Sequence, residues 1–500
     1  MSFSKKLKTI FWPISKSELG LFIPMALLML CILLNFSILR SVKDSLVVPS
    51  IGAEVISFLK LWLVLPTAVI CTIIYVKLSN MIEMEYIFYI VVSSFLSIFI
   101  IFAFVLYPNQ EYYHPSQDLI SALHSHFPYL KWFIKIFEKW SYALLYIFAE
   151  LWSVVVINLM FWQFANHIIA SNDAKRFYPT LGMVGNLGLI LAGNIIVFFS
   201  DITGGNEEMW QNLFAGESYL ASEVSLKLVM LVVFASGIIA MLLLRYIHKV
   251  VLRTKLYLAH HDAYDTQTKL SVMESIKLIT HSRYIGYIVV MIVCYGLAIN
   301  ILEGPWKAKV KELYPTTREY MEFMGNFNIY MGVSSVFFML VGSNLLRKSS
   351  WFFSAIVTPS IIGITGTMFF IFVVFKEKFR VFLGGVDFDP IYAAVMVGAL
   401  QNILSKSTKY SLFDSTKEMA YIPLSKELRT KGKAAAEIIG AKLGKSLGAF
   451  IQSTIFILVP VATFDSISPL LMVIFLVVII LWLADVRKLE VKYNQIVGEK

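Results

Sequence analysis

Charge is scarce in this sequence. Asp, Glu, Lys and Arg make up 15% of its 500 residues, while 58% are hydrophobic and the mean hydropathy is +0.72. A water-soluble domain carries about a quarter charged residues, so a soluble globular fold is excluded. Cysteine is scarcer still. Cys31, Cys71 and Cys294 all fall in apolar stretches, which argues against a disulfide framework or a thiolate metal centre. The eight histidines, including the doublet His260-His261, have no metal-ligand spacing, and no serine sits in the strand-to-helix setting of a nucleophile elbow. An enzyme is therefore not expected, and nothing in the pattern asks for a cofactor, a metal or hydrolysis. A cleavable signal peptide is not expected either. The first apolar run is about 20 residues long, lacks a small-residue cleavage site and leads into further runs.

Apolar runs of about 20 residues are what the sequence has in quantity, and each matches a ~30 Å hydrocarbon layer. We read twelve: Leu21–Leu39, Ile56–Leu78, Tyr86–Tyr107, Trp140–Ile169, Phe177–Phe199, Leu226–Leu244, Tyr284–Leu302, Phe327–Leu345, Trp351–Phe375, Pro390–Leu404, Ile438–Val461 and Ile467–Ala484. Backbone polar groups in lipid must bond within the chain, so each run is expected to be helical. The expected fold is an all-α polytopic membrane protein of twelve transmembrane helices, arranged as two six-helix bundles in a major-facilitator-like layout, with the lipid bilayer around it.

The net charge is +10. In a soluble protein that excess would suggest nucleic acid; here it is read first as the positive-inside rule, and nucleic acid is not an expected partner. Lys5, Lys6, Lys8, Lys16, Lys175, Arg176, Arg245, Lys249, Arg253, Lys255, Lys426, Arg429, Lys431 and Lys433 fall on one side if the N-terminus is cytoplasmic. The stretch Asp201–Ser225 on the other side holds Glu207, Glu208, Glu217 and Glu223 but no Lys or Arg between its ends. Both termini are thus expected in the cytoplasm. An anion pathway lined by part of the excess is compatible with this reading.

The long basic connection 245–283 divides the chain into an N-terminal bundle, residues 1–244, and a C-terminal bundle with its tail, residues 284–500. An internal repeat supports the division. Gly182, Gly185 and Gly188 follow Lys175-Arg176, and Gly440, Gly444 and Gly448 follow Lys431-Gly432-Lys433, at an offset of about 260 residues. These glycines are read chiefly as close helix packing. The segment Gly440-Ala441-Lys442-Leu443-Gly444-Lys445-Ser446 is not a phosphate-binding P-loop, since it is one residue short between its glycines and follows no strand.

Charged side chains inside the apolar runs carry the functional signal. Glu150 interrupts Trp140–Ile169 and Lys60 interrupts Ile56–Leu78. A charge at bilayer depth costs from about 2.5 to more than 10 kcal/mol, so it normally faces a protein cavity and has a task there. Three more positions stand beside the runs: Lys43 in Arg40-Ser41-Val42-Lys43-Asp44 at the end of the first, Glu303 in Glu303-Gly304-Pro305-Trp306-Lys307 at the end of the seventh, and Lys417 after the tenth. Cations and carboxylates on one path suit an anionic substrate, and lysine grips phosphate without fixed geometry. Gln401 and Asn402 serve equally as base-edge contacts or as helix–helix bridges.

Four stretches carry a resemblance to a known family: LRSVKDSLVV (Leu39–Val48), FAELW (Phe148–Trp152), NILEGPWKAKVKELYP (Asn300–Pro315) and the long KYSLFDSTKEMAYIPLSKELRTKGKAAAEIIGAKLGKSLGAFIQS (Lys409–Ser453). The sequence resembles the nucleotide transporter family of plastids and obligate intracellular bacteria, the ATP/ADP translocase type. The resemblance implies antiport of a nucleoside triphosphate, ATP first, against a diphosphate across a bacterial inner membrane. It also implies that Lys43, Glu150, Glu303 and Lys417 are the residues of substrate binding and transport. Import of GTP/GDP or of CTP and UTP, by exchange, uniport or proton symport, is the alternative, and a receptor that binds nucleotide without moving it stands further off. No obligate protein partner is evident.

Overall fold

The computed structural model describes residues 14–169, 171–205, 221–251, 282–382, 389–424 and 440–498, together with residues 433 and 436. The central connection from 252 to 281, with Arg253, Lys255 and His260-His261, lies outside the described residues. So do Lys5, Lys6, Lys8, Glu207, Glu208, Glu217, Lys426, Arg429 and Lys431.

Among the described residues every regular element is helical. Twelve long helices form the body: α1 (Leu19–Ser50), α2 (Val55–Ser79), α3 (Met84–Leu106), α4 (Trp140–Asn166), α5 (Ser171–Gly205), α6 (Ala221–Tyr246), α7 (Arg283–Leu313), α8 (Thr317–Lys348), α9 (Trp351–Val374), α10 (Pro390–Thr408), α11 (Ala441–Leu458) and α12 (Phe464–Gly498). Ten hold a stretch long and apolar enough to cross a membrane. The other two are α11, whose apolar part is Leu443–Leu458, and α10, which carries Gln401, Asn402, Ser405 and Lys406.

Several helices outrun the apolar segments seen in the sequence. The first run ends at Leu39, yet α1 continues to Ser50; the seventh ends at Leu302, yet α7 continues to Leu313. Lys43 and Glu303 therefore lie inside helices rather than at their ends. Arg40, Lys43 and Asp44 beyond the first run and Glu303 and Lys307 beyond the seventh find partners in the protein, and the continuing helices carry them there.

Each half places its first helix at the centre. Of the apolar stretches, 72% of that in α1 and 61% of that in α7 is buried. α1 packs against α5 and α6, and α7 against α11 and α12. The glycine repeat explains the matching contacts. Gly188 lies on the α1 backbone at Leu30 and Leu34, and Gly444 on the α7 backbone at Val293 and Gly296. A side chain at either position would collide with main chain, so these are packing glycines, as expected. Gly182 departs from the pattern, with nothing close to where its side chain would be.

Pro305 interrupts α7 between two functional side chains. Proline cannot donate to the carbonyl four residues back, which leaves Ile301 short of a partner. Buried Gln452 of α11 donates its side-chain amide to the carbonyls of Asn300 (3.0 Å) and Ile301 (3.5 Å). Freed backbone groups at membrane depth need such a substitute.

The two halves are joined toward the end that carries the α1–α2 and α11–α12 connections. There the Phe464 backbone N–H donates to Glu54 (3.2 Å), Lys131 donates to the Pro460 carbonyl (3.3 Å), and the Trp132 and Phe456 rings meet at 6.0 Å. Deeper in, Asn328 of α8 donates to Ser41 of α1 (2.8 Å), and Gly193 of α5 faces Gly325 of α8. At the same joined end Gly52 has φ +127°, and a side chain there would press on Glu54 and Trp132. Gly52→Ala is expected to destabilise the protein by about 1–3 kcal/mol, read as a lower melting temperature in detergent. An unchanged melting temperature would contradict this account of the turn.

Candidate functional site

Helix periodicity builds the site. Arg40, Lys43 and Asp44 are spaced i, i+3, i+4 on α1, and Glu303 and Lys307 are spaced i, i+4 on α7, so each set shares one face. Those faces meet. Asp44, with no exposed side-chain surface, receives Lys43 at 3.0 Å and Lys307 at 2.8 Å. Lys43 also pairs with Glu150 of α4 at 2.9 Å. Glu303 collects Lys307 at 3.0 Å, Lys60 of α2 at 2.8 Å and, more loosely, Arg40 at 3.9 Å. The chain of charges runs from Glu150 through Lys43, Asp44, Lys307 and Glu303 to Lys60, and it crosses between the halves twice.

Two features near the chain distort regular α-helix. Lys60 sits in the π-helical turn Leu59–Val64, and Trp152–Phe161, directly after Leu151, is also π-helical. Such widened turns recur at functional sites because they rotate side chains out of ordinary register. Tyr146, one turn before Glu150, lies under the Lys43 ammonium at 3.8 Å from its ring centre. The hydroxyls of Tyr146 and Tyr320 are buried without a hydrogen-bond partner.

The cluster is enclosed on the joined side and wet on the other. Lys43 is 3% exposed but its partner Glu150 is 29% exposed. Further along, Lys445 of α11 is exposed, and the charges acting on it are those of Glu150, Lys60, Lys409 and Glu303. An exposed lysine within electrostatic reach of the cluster marks the side from which the cluster is accessible.

The structure brings Lys43, Glu150 and Glu303 into one network. Lys417 stands elsewhere. α10 continues through the π-helical turn Lys409–Phe413 into the helix Asp414–Tyr421, where Lys417 has Asp414 at 3.7 Å. It lies eleven residues past Lys406, roughly 16 Å along the helix at 1.5 Å per residue. The partners of Glu303 are Lys307, Lys60 and Arg40. The same stretch holds Lys409, paired with Asp414 at 2.7 Å, and a Tyr295–Phe413 stack at 5.0 Å. Asn402 bonds its own helix at Gly398, whereas both polar ends of buried Gln401 lack partners.

Arg40, Asp44 and Lys307 are site residues that hydropathy along the sequence does not single out, although each lies within four residues of Lys43 or Glu303. The available signal was spacing: three charges on one turn of a buried helix imply an internal network. Lys60 was noticed for interrupting an apolar run but was given no partner.

Twelve helices whose halves share a buried ionic cluster, reached by water from one end, define a membrane transporter. The same fold is seen in the crystal structure of a bacterial homologue of the iron transporter ferroportin in its inward-facing state (TM-score 0.59, 16% identity, 94% of this chain and 99% of that one). It is also seen in the D-xylose-proton symporter (TM-score 0.53, 12% identity, 93% and 96%). The chain belongs to the TLC ATP/ADP transporter family, whose family model matches residues 1–493. It is 61% identical to ADP,ATP carrier protein 3 of Rickettsia bellii (99% of both chains) and 59% identical to that of Rickettsia prowazekii (98% of both). Against ADP,ATP carrier protein 1 of Rickettsia prowazekii the identity is 45%, over 100% of this chain and 98% of that one.

Proposed function

We propose that the protein exchanges ATP for ADP across a bacterial inner membrane by alternating access. Residues 1–244 and 284–500 are the two bundles that rock, and 245–283 is their cytoplasmic connection. The observation that carries this reading is the charge of the central cluster. Arg40, Lys43, Lys60 and Lys307 face Asp44, Glu150 and Glu303, four cations against three carboxylates, with the Lys406 amine beside them. A site with a surplus of basic groups is built for an anion, and a polyphosphate is the substrate that the relatives' names suggest.

Both termini lie in the cytoplasm, so the wet path opens inward and the joined end seals the external side. Glu150 and Glu303 hold the lysines while the site is empty. The phosphates take over those lysines, which loosens the cross-half bonds Asp44–Lys307 and Lys60–Glu303 and lets the bundles tilt. An unliganded site keeps its bonds and resists the tilt, so exchange is favoured over net flow. Lys417, nearer the open end, meets the nucleotide as it arrives or leaves.

Counterflow tests this. Proteoliposomes loaded with unlabelled ADP are expected to accumulate labelled ATP at a rate at least ten times that of empty vesicles, given a coupling of about 1.4 kcal/mol or more. Uptake that ignores the internal nucleotide would overturn exchange. Competition by GTP, CTP or UTP as strong as that by ATP would overturn the choice of base.

A further inference from the structure

One cation of the cluster stands apart from the ion-pair chain. The side-chain nitrogen of Lys406, on α10, is buried and has no hydrogen-bond or ion-pair partner among the described residues; the Phe327 ring lies 5.8 Å from it. The charges acting on it are Arg40, Glu303, Lys307 and Asp44, and the one that repels it most is Arg40. Arg40 is itself loosely held, with Glu303 at 3.9 Å, outside hydrogen-bond range. Arg40 belongs to α1 and Lys406 to α10, so two weakly committed like charges confront one another across the halves.

A buried amine without a counter-ion is costly to ionise, and an anionic ligand that pairs with it repays that cost. Every other lysine of the cluster must give up a carboxylate before it can hold an anion. Lys406 need give up nothing. We infer that Lys406 and Arg40 form a phosphate subsite of the nucleotide site, taking the terminal phosphates of a nucleoside di- or triphosphate and drawing α1 toward α10. The inference rests on the nucleotide reading above. It assigns to Lys406 the discrimination between polyphosphorylated and monophosphorylated nucleotides. Arg40 suits the role because its guanidinium forms paired bonds with phosphate oxygens.

The test uses the purified full-length protein, with K406M and K406R beside the unmodified chain. Equilibrium binding of ATP, ADP, AMP and adenosine is measured, along with the melting temperature of each protein without ligand. K406M is expected to weaken ATP and ADP about 10- to 100-fold, the range for a charge-assisted hydrogen bond, and to change AMP and adenosine less than threefold. K406R should keep most of the ATP affinity. Without ligand, K406M should melt higher than the unmodified protein, because a buried amine that lacks a partner is gone; a lysine that holds the fold together would do the opposite. Equal losses for ATP and AMP, undiminished ATP binding by K406M, or a lower melting temperature would overturn the subsite. An unmodified protein that binds no nucleotide would overturn the nucleotide reading, and the subsite with it.

Discussion

Asp44→Asn is expected to cost the present conformation about 3–5 kcal/mol, the usual penalty for removing one partner of a buried ionic group. Asp44 is wholly enclosed and stands between Lys43 at 3.0 Å and Lys307 at 2.8 Å. Neutralising it leaves two buried ammonium groups with only Glu150 and Glu303 to share. Because Lys307 lies on the opposite half from Asp44, the loss falls on the state in which the halves meet here. A state that separates them and admits water suffers less. The population ratio should therefore move by roughly two to three orders of magnitude. With Cys31, Cys71 and Cys294 replaced, a single cysteine introduced by K445C reports the opening of the wet path. Its labelling by a hydrophilic maleimide is expected to slow at least tenfold in the D44N background. Much of the rate should return in D44N/K307M, which removes both ends of the bond. Unchanged labelling together with an unchanged melting temperature would show that the bond does not hold this state.

Glu303→Gln tests the competition between carboxylate and phosphate. Glu303 holds Lys307, Lys60 and Arg40, three cations from both halves. If it acts as a placeholder for the substrate, neutralising it should free cations and tighten nucleotide binding tenfold or more, at about 1.5–3 kcal/mol per charged hydrogen bond regained. Exchange should nevertheless fall at least a hundredfold, since tight binding retards release and the unliganded site no longer reseals. The pairing of stronger binding with slower exchange is the diagnostic result. Weaker binding would mean that Glu303 touches the substrate directly, and the placeholder role would be wrong.

Much of the site was legible from local pattern. Glu150 and Lys60 stood out because a charge within an apolar run is costly unless it is enclosed. The glycine repeat marked α5 and α11 as closely packed helices, since only glycine permits such close backbone approach, and the structure supplies their partners, α1 and α7. The ends of α1 and α7 were misread for the same reason that the charges were noticed: hydropathy cannot tell a charge that faces water from one that faces a partner. Nor could it foresee the π-helical turns at Leu59–Val64 and Trp152–Phe161, which depend on packing around them.

The residue order determined that this chain spans a membrane many times, that its halves echo each other, and that ionic groups lie at depth. Those properties are local sums of apolar length and periodicity, so they can be read along a line. Which charges meet was settled only by the packed fold. Lys43 lies 107 residues from Glu150, and Asp44 lies 263 residues from Lys307. Coulomb interactions act through space and ignore such separations. For the same reason Lys417, grouped with Glu303 by the family resemblance, stands well away along its helix, while Lys406, which the sequence does not single out, joins the cluster with no partner among the described residues.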